Sequence, residues 1–318
     1  MGSIAPEQHY KTPWVETPLV ESSSLSRAAG CRIFLKLENV QPSGSFKSRA
    51  MGNQILAHLK KPENSNRPVH FFASSGGNAG LAAVCAAKSL GYPCTVVVPT
   101  STKPMMISRL RTAGAFDVVQ RGSTISEAGE YMKNVLMTMR DESEPADIVK
   151  IALHPFDNPS IWEGNSTIID ELATQLPSPE TAAEKAAYAS RSLPVDSIIC
   201  SVGGGGLLNG LIMGLERQKK LNNLKLRPDL DLPQLDSTPI HLLAVETAGT
   251  DSLAKAVSQN SLVTLPQITS QATSLGCVRV SEQTFEYAMH PPSGIVLHTS
   301  VLSDADAARG VHRLADEE

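Results

Sequence analysis

One lysine, Lys47, lies in the stretch QPSGSFKSRA, where a Ser/Gly loop runs into the start of a helix. Two glycine-rich segments follow it, SSGGNAG over Ser74–Gly80 and SVGGGGLLNG over Ser201–Gly210. A lysine amine can form a Schiff base with an aldehyde, and glycine loops with bare backbone N–H groups bind anions. In this order the three segments read as a pyridoxal-phosphate (PLP) site. The lysine would take the aldehyde, one loop the substrate carboxylate, and the other the cofactor phosphate.

Each segment taken alone has a plainer reading. Schiff-base chemistry at Lys47 needs a neutral amine, which burial or nearby positive charge favours. Ser43, Gly44 and Ser45 leave room for a ring to approach the backbone, and Phe46 is placed to pack on it. Most lysines, however, are simply solvated. In the second segment, Ser75, Gly76, Gly77, Asn78 and Ala79 can wrap a carboxylate at a helix N-terminus. The Ser75 hydroxyl adds a donor there, and the Asn78 amide suits a ring hydroxyl. A glycine turn with Asn as helix cap explains the same residues. In the third, Gly203, Gly204, Gly205 and Gly206 form a nest suited to a phosphate dianion. No GK[ST] follows, and GxGxxG is not met, so neither a Walker loop nor the dinucleotide fingerprint applies. Close backbone packing is the competing explanation.

The elements that must hold these segments alternate. Strands are expected at Ile33–Glu38, His70–Ser74, Cys94–Pro99, Ala115–Gln120, Ile148–Leu153, Asp196–Val202 and Ile240–Glu246. Helices are expected over Phe46–Leu59, from Asn78 to a C-cap at Gly91, over Met105–Ala113 and from Ser123. The pattern predicts an α/β fold of open, twisted, mostly parallel sheets flanked by helices. The three loops then fall at strand ends and helix starts, where such sheets bind ligands. Pro177–Arg191 and Gln218–Thr238 read as insertions forming surface loops. A small domain over 48–153 carrying the carboxylate loop is expected, with a larger one from 1–47 and 154–318.

Composition excludes other classes. A net charge of −4 gives no electrostatic case for nucleic acid or anionic membrane, and no apolar run is long enough to span a bilayer. Five scattered cysteines argue against a disulfide framework or zinc site and point to the cytosol. Cys85, Cys94 and Cys200 lie in apolar runs and are expected to be buried.

PSGSFKSR, SSGGNAGLAA, HPFDNPSIWEG, SVGGGGLLNG and LLAVET together resemble the eukaryotic catabolic serine/threonine dehydratases (L-serine ammonia-lyases). These are fold-type II PLP enzymes, similar to tryptophan synthase β. The likeness runs from about Thr12 to the last residue, broken by the two insertions. It implies Lys47 as Schiff-base lysine and acid/base, Phe46 beside the ring, and Ser75 to Ala79 as the substrate-carboxylate loop. It implies phosphate binding by Gly203 to Gly206 with Leu207 adjacent. It also implies a monovalent-cation site, K⁺, at Glu246 with groups near Gly203, Thr250, Ser252, Leu275 and Cys277. The implied reaction is β-elimination of water from L-serine, with L-threonine as a second substrate, in a homodimer. The family often has Ala or Ser where Gly76 stands, so an altered rate or substrate choice is expected. A segment similar to LADEE continues, in the family, into a glycine-rich turn facing the pyridine nitrogen. This chain stops at Glu318, so the larger domain is expected to be C-terminally incomplete. Alternative readings are β-replacement or serine racemisation on the same scaffold, or a non-catalytic remnant.

Overall fold

The computed structural model describes residues 10–140, 144–188, 191–226 and 238–317. In chain order the elements are β1 (Leu19–Glu21), α1 (Ser23–Ala29), β2 (Phe34–Lys36), α2 (Lys47–Leu59), β3 (Val69–Ala73), α3 (Asn78–Ser89), β4 (Cys94–Val98), α4 (Pro104–Ala113), β5 (Asp117–Gln120) and α5 (Ile125–Tyr131). They continue as β6 (Val149–Leu153), α6 (Pro159–Gln175), α7 (Ala182–Tyr188), β7 (Ser197–Ser201), α8 (Gly206–Leu226), β8 (Ile240–Thr247), α9 (Ser252–Ser258), α10 (Glu282–Met289), β9 (Ile295–Leu302) and α11 (Asp304–Glu317). They form two compact units. One holds residues up to Glu16 together with Glu38–Gly164, and the other holds Thr17–Leu37 and the chain from Asn165 onward.

The first unit is built on a parallel sheet of order β5-β4-β3-β6. Its central strands, VHFFA and CTVVV, are buried along their whole length. Their side chains alternate between two cores. Phe71, Val96 and Val98 pack with Met51 and Ile55 of α2, Ala83 of α3 and Leu110 of α4. Phe72 and Val97 point the other way, onto Ala128 of α5 and Met132 beyond it. A strand covered on both faces has no polar side to show, which is why these strands read as unbroken apolar runs. The helix after Asn78 ends near Gly91 as expected, with Gly91 in the left-handed region at φ 81°.

The second unit contains a parallel sheet of order β7-β8-β9 and a separate antiparallel ladder of β1 with β2. The expected strand Ile33–Glu38 is thus shorter, and it pairs with β1 instead of joining a parallel sheet. Lys36 ties this ladder to α6, donating to Thr17 O (2.6 Å), Glu171 Oε2 (2.5 Å) and Gln175 Oε1 (2.7 Å).

The two expected surface loops need correction. Within Pro177–Arg191, the run Ala182–Tyr188 is helix α7, because AAEKAAY is rich in strong helix formers. Within Gln218–Thr238, the first part belongs to α8, which meets no Gly or Pro between Gly214 and Pro228. Residues 227–237 of that stretch lie outside the described residues. Among the cysteines, Cys94 and Cys200 are buried, and burial pushes both thiols up to about 12. Cys85 is only half-buried. No helix among the described residues is long and apolar enough to cross a membrane.

Candidate active site

In the first unit, Lys47 is the first residue of α2, directly after the loop Gln41–Phe46. That loop is anchored at both ends. Ser43 N–H donates to Ser48 Oγ (3.1 Å), and the two hydroxyls share a 2.7 Å hydrogen bond. Arg49, fully buried, grips Glu38 through both carboxylate oxygens, at 2.9 and 2.7 Å. A two-point guanidinium–carboxylate bond fixes direction as well as distance, so the start of α2 is held rigidly. The half-buried Lys47 Nζ lies 5.3 Å from the centre of the Phe46 ring and donates to Pro155 O at 2.7 Å. Two residues earlier, Ser45 Oγ is buried with no hydrogen-bond partner among the described residues.

Pro155 belongs to the HPFDNPSIWEG stretch after β6, a turn that organises itself. His154 Nδ1 accepts from the backbone N–H of Asp157 (2.8 Å) and of Phe156 (3.3 Å). Trp162 Nε1 donates to Phe156 O at 3.0 Å, and Asn158 Oδ1 accepts from Ser160 N at 3.0 Å. Burial holds the His154 imidazole below its usual pKa. Asp157 opposes that shift, and Lys133 and Lys47 add to it. Neutral His154 keeps the Nδ1 lone pair that this turn requires. The sequence contained the motif, but 108 residues separate Lys47 from Pro155, and no spacing rule joins them.

Ser74 to Gly77 link β3 to α3. Ser75 Oγ accepts from Gly77 N–H (3.3 Å). Among the described residues, no protein acceptor takes the N–H of Gly76, Asn78 or Ala79. Asn78 is exposed and Ala79 buried. A side chain at Gly80 would place its Cβ 1.9 Å from Ser75 O, so only glycine lets α3 start this close to the loop. These donors sit at the positive end of a 12-residue helix, an arrangement that suits a carboxylate.

In the second unit, Gly203–Gly205 connect β7 to α8, whose first residue is Gly206. Among the described residues, no protein acceptor takes the N–H of Gly204, Gly205, Gly206 or Leu207. Four adjacent unpartnered donors at the start of a 21-residue helix match the needs of a phosphate dianion, so the donor set fits PLP.

The residues expected at a cation site also lie in this unit. Glu246 is fully buried on β8, and its carboxylate accepts from Leu253 N–H (2.9 Å) and Ala254 N–H (2.8 Å), anchoring the start of α9. Burial pushes its carboxyl up to about 7 against those two bonds. Ser252 Oγ is buried with no hydrogen-bond partner among the described residues. A Cβ at Gly203 would lie 3.1 Å from Leu275 O. Thr250 Oγ1 bonds Thr247, and Cys277 Sγ donates to Arg279 O at 2.9 Å.

Comparison with known proteins agrees with the class of chemistry. The profile of a family described as pyridoxal-phosphate dependent enzymes matches residues 11–318. The chain is 41% identical over 274 residues to the catabolic L-serine/threonine dehydratase of Saccharomyces cerevisiae, covering 86% of this chain and 68% of that one. It is 34% identical over 306 residues to the L-serine dehydratase/L-threonine deaminase of Mus musculus, covering 96% and 78%. Among solved structures, a fungal L-serine ammonia-lyase from Rhizomucor miehei superposes with a TM-score of 0.74 at 29% identity, covering 96% of this chain and 82% of that one. The fold is therefore that of an α/β PLP enzyme of fold type II. The chain belongs to the pyridoxal-phosphate dependent enzyme family, and to its serine/threonine dehydratase branch.

Proposed function

We propose that the protein catalyses the PLP-dependent elimination of water from L-serine, giving pyruvate and ammonia, and accepts L-threonine to give 2-oxobutanoate. The observation that carries this reading is a helix-start lysine, set on a braced loop, in a chain that also presents, at the start of α8, four N–H groups with no partner among the described residues. The names of the relatives supply the substrate class.

PLP, when bound, supplies a conjugated electron sink for the carbanion at the substrate Cα. Lys47 Nζ would hold the cofactor by its aldehyde carbon. Gly203 to Gly206 and Leu207 hold the phosphate by backbone N–H groups and the dipole of α8. Phe46 flanks the ring, and Asn78 serves its hydroxyl. Ser75, Gly76, Gly77 and Ala79 orient the carboxylate of serine. With its amine free, Lys47 Nζ would take the Cα proton of serine and would hand that proton to the departing β-hydroxyl, which would leave as water. The released aminoacrylate takes up water and yields pyruvate and ammonia. Pro155 O gives the lysine a fixed hydrogen-bond partner. A K⁺ ion at Glu246, with oxygens near Gly203, Thr250, Ser252, Leu275 and Cys277, is part of the proposal. It is supported by the unpartnered Ser252 hydroxyl. A cytosolic homodimer completes the proposal.

The test is an absorbance titration with PLP followed by L-serine, with pyruvate measured by coupled lactate dehydrogenase. The wild-type chain is expected to develop the visible band of a lysine-bound aldehyde and to release pyruvate, and Lys47→Ala to do neither. A Lys47→Ala protein retaining both would refute the assignment.

A further inference from the structure

Behind the glycine loop of the second unit lies a closed ring of three buried polar side chains, Asn209 on α8, Ser281 at the N-cap of α10, and Thr284 on α10. Thr284 Oγ1 donates to Asn209 Oδ1 at 2.9 Å, and Asn209 Nδ2 donates to Ser281 Oγ at 3.2 Å. The third side, Ser281 Oγ to Thr284 Oγ1, is 2.7 Å long. An amide oxygen only accepts, so the Thr284 proton is committed to Asn209, and Ser281 must donate to Thr284. Each member therefore donates once around the ring, an order in which each bond polarises the next.

Two residues of this ring bond the loop through their backbone N–H groups. Ser281 N–H donates to Gly204 O at 3.1 Å, and Asn209 N–H donates to Gly205 O at 2.9 Å. Asn165 Nδ2 donates to Gly206 O at 2.9 Å. Gly205 has φ 92°, and a Cβ there would lie 1.8 Å from Thr284 Oγ1. In a trans peptide the carbonyl and the following N–H point in opposite directions. Holding the carbonyls of Gly204 and Gly205 therefore turns the N–H groups of Gly205 and Gly206 away from Ser281 and Asn209, and the bond from Asn165 to Gly206 O does the same for Leu207. Those are three of the four N–H groups that take no protein acceptor.

We propose that Asn209, Ser281 and Thr284 are positioning residues that aim the glycine-loop N–H groups at the phosphate of the cofactor. This rests on the reading of Gly203–Gly206 as the phosphate loop. The ring makes no bond to the ligand itself. Its removal lets the peptide planes turn and lowers phosphate affinity specifically.

The experiment compares PLP with pyridoxal, which carries the aldehyde but no phosphate, by absorbance and tryptophan-fluorescence titration of the full chain. Thr284→Val keeps the shape and removes the hydroxyl. One buried hydrogen bond is worth roughly a tenfold change in affinity, so Kd for PLP is expected to rise about tenfold. Kd for pyridoxal is expected to stay within about twofold, and Thr284→Ser, which restores the hydroxyl, to bind PLP within about twofold of wild type. Equal loss for both ligands, or no loss for PLP, overturns the proposal. If Thr284→Val does not fold, Ser281→Ala carries the same comparison, because it breaks the ring while keeping the N–H bond to Gly204 O. Gly204→Asp separates the two ideas. If it leaves both affinities unchanged, the phosphate-loop reading fails, and the ring's role with it. If it weakens PLP selectively while Thr284→Val does not, only the ring proposal fails.

Discussion

His70 makes the acid stability of the first unit open to test. It sits on β3 with its ring stacked on Phe72 (4.5 Å between centres) and edge-on to Phe116 (4.9 Å). Its Nε2 lies 2.9 Å from Thr95 Oγ1 on β4, and the residue is 4% exposed. Burial lowers its pKa from 6.5 to about 4. The Glu144 carboxylate, 3.9 Å from Nδ1, works against that shift, and Lys150 works with it. Above pH 6.5 the imidazole is neutral in folded and unfolded chains alike, so His70 carries no proton-linked penalty. As pH falls from 6.5 towards 4, the unfolded chain binds a proton that the folded chain refuses, and stability declines. The loss is about 2 kcal/mol at pH 5 and levels off at about 3 kcal/mol below pH 4, at 1.36 kcal/mol per unit. His70→Phe keeps an aromatic ring and removes the titration. Urea unfolding of both proteins at pH 7.5 and pH 5.0 reads the difference. The variant, although weaker at pH 7.5 for want of the Thr95 bond, is expected to lose about 2 kcal/mol less on acidification than the wild type. Equal losses within about 0.5 kcal/mol, a typical limit for comparing variants, would refute the reasoning.

Other substitutions test the loops directly. Gly205→Ala combines a left-handed backbone with a Cβ 1.8 Å from Thr284 Oγ1. It should lower thermal stability by more than ~2 kcal/mol and weaken PLP binding; calorimetry and titration check this. Ser75→Ala is expected to raise KM for L-serine with little change in the cofactor spectrum, whereas Asn78→Ala shifts the spectrum. The opposite pattern in steady-state kinetics and absorbance would exchange their roles.

What could be read along the chain is what depends on near neighbours. The runs VHFFA and CTVVV announce buried parallel strands because both their faces are covered. SSGGNAG and SVGGGGLLNG announce helix starts with bare N–H groups because turn, glycine and helix adjoin. Lys47 shared this advantage, since the residues that anchor its loop, from Glu38 to Arg49, are near neighbours in the chain. Two local readings failed for local reasons as well. AAEKAAY and the run Gln218–Leu226 looked polar and loop-like, yet they contain no helix breaker and form helix. The rest was decided by tertiary structure. Strand β2 was visible, but its antiparallel pairing with β1 depends on chain reversal through α1. The Pro155 carbonyl reaches Lys47 across 108 residues, and Thr284 reaches Asn209 across 75. Asn, Ser and Thr are common on surfaces, and only burial makes their hydrogen bonds obligatory. A buried ring of such residues therefore has no signature until the fold brings its members together.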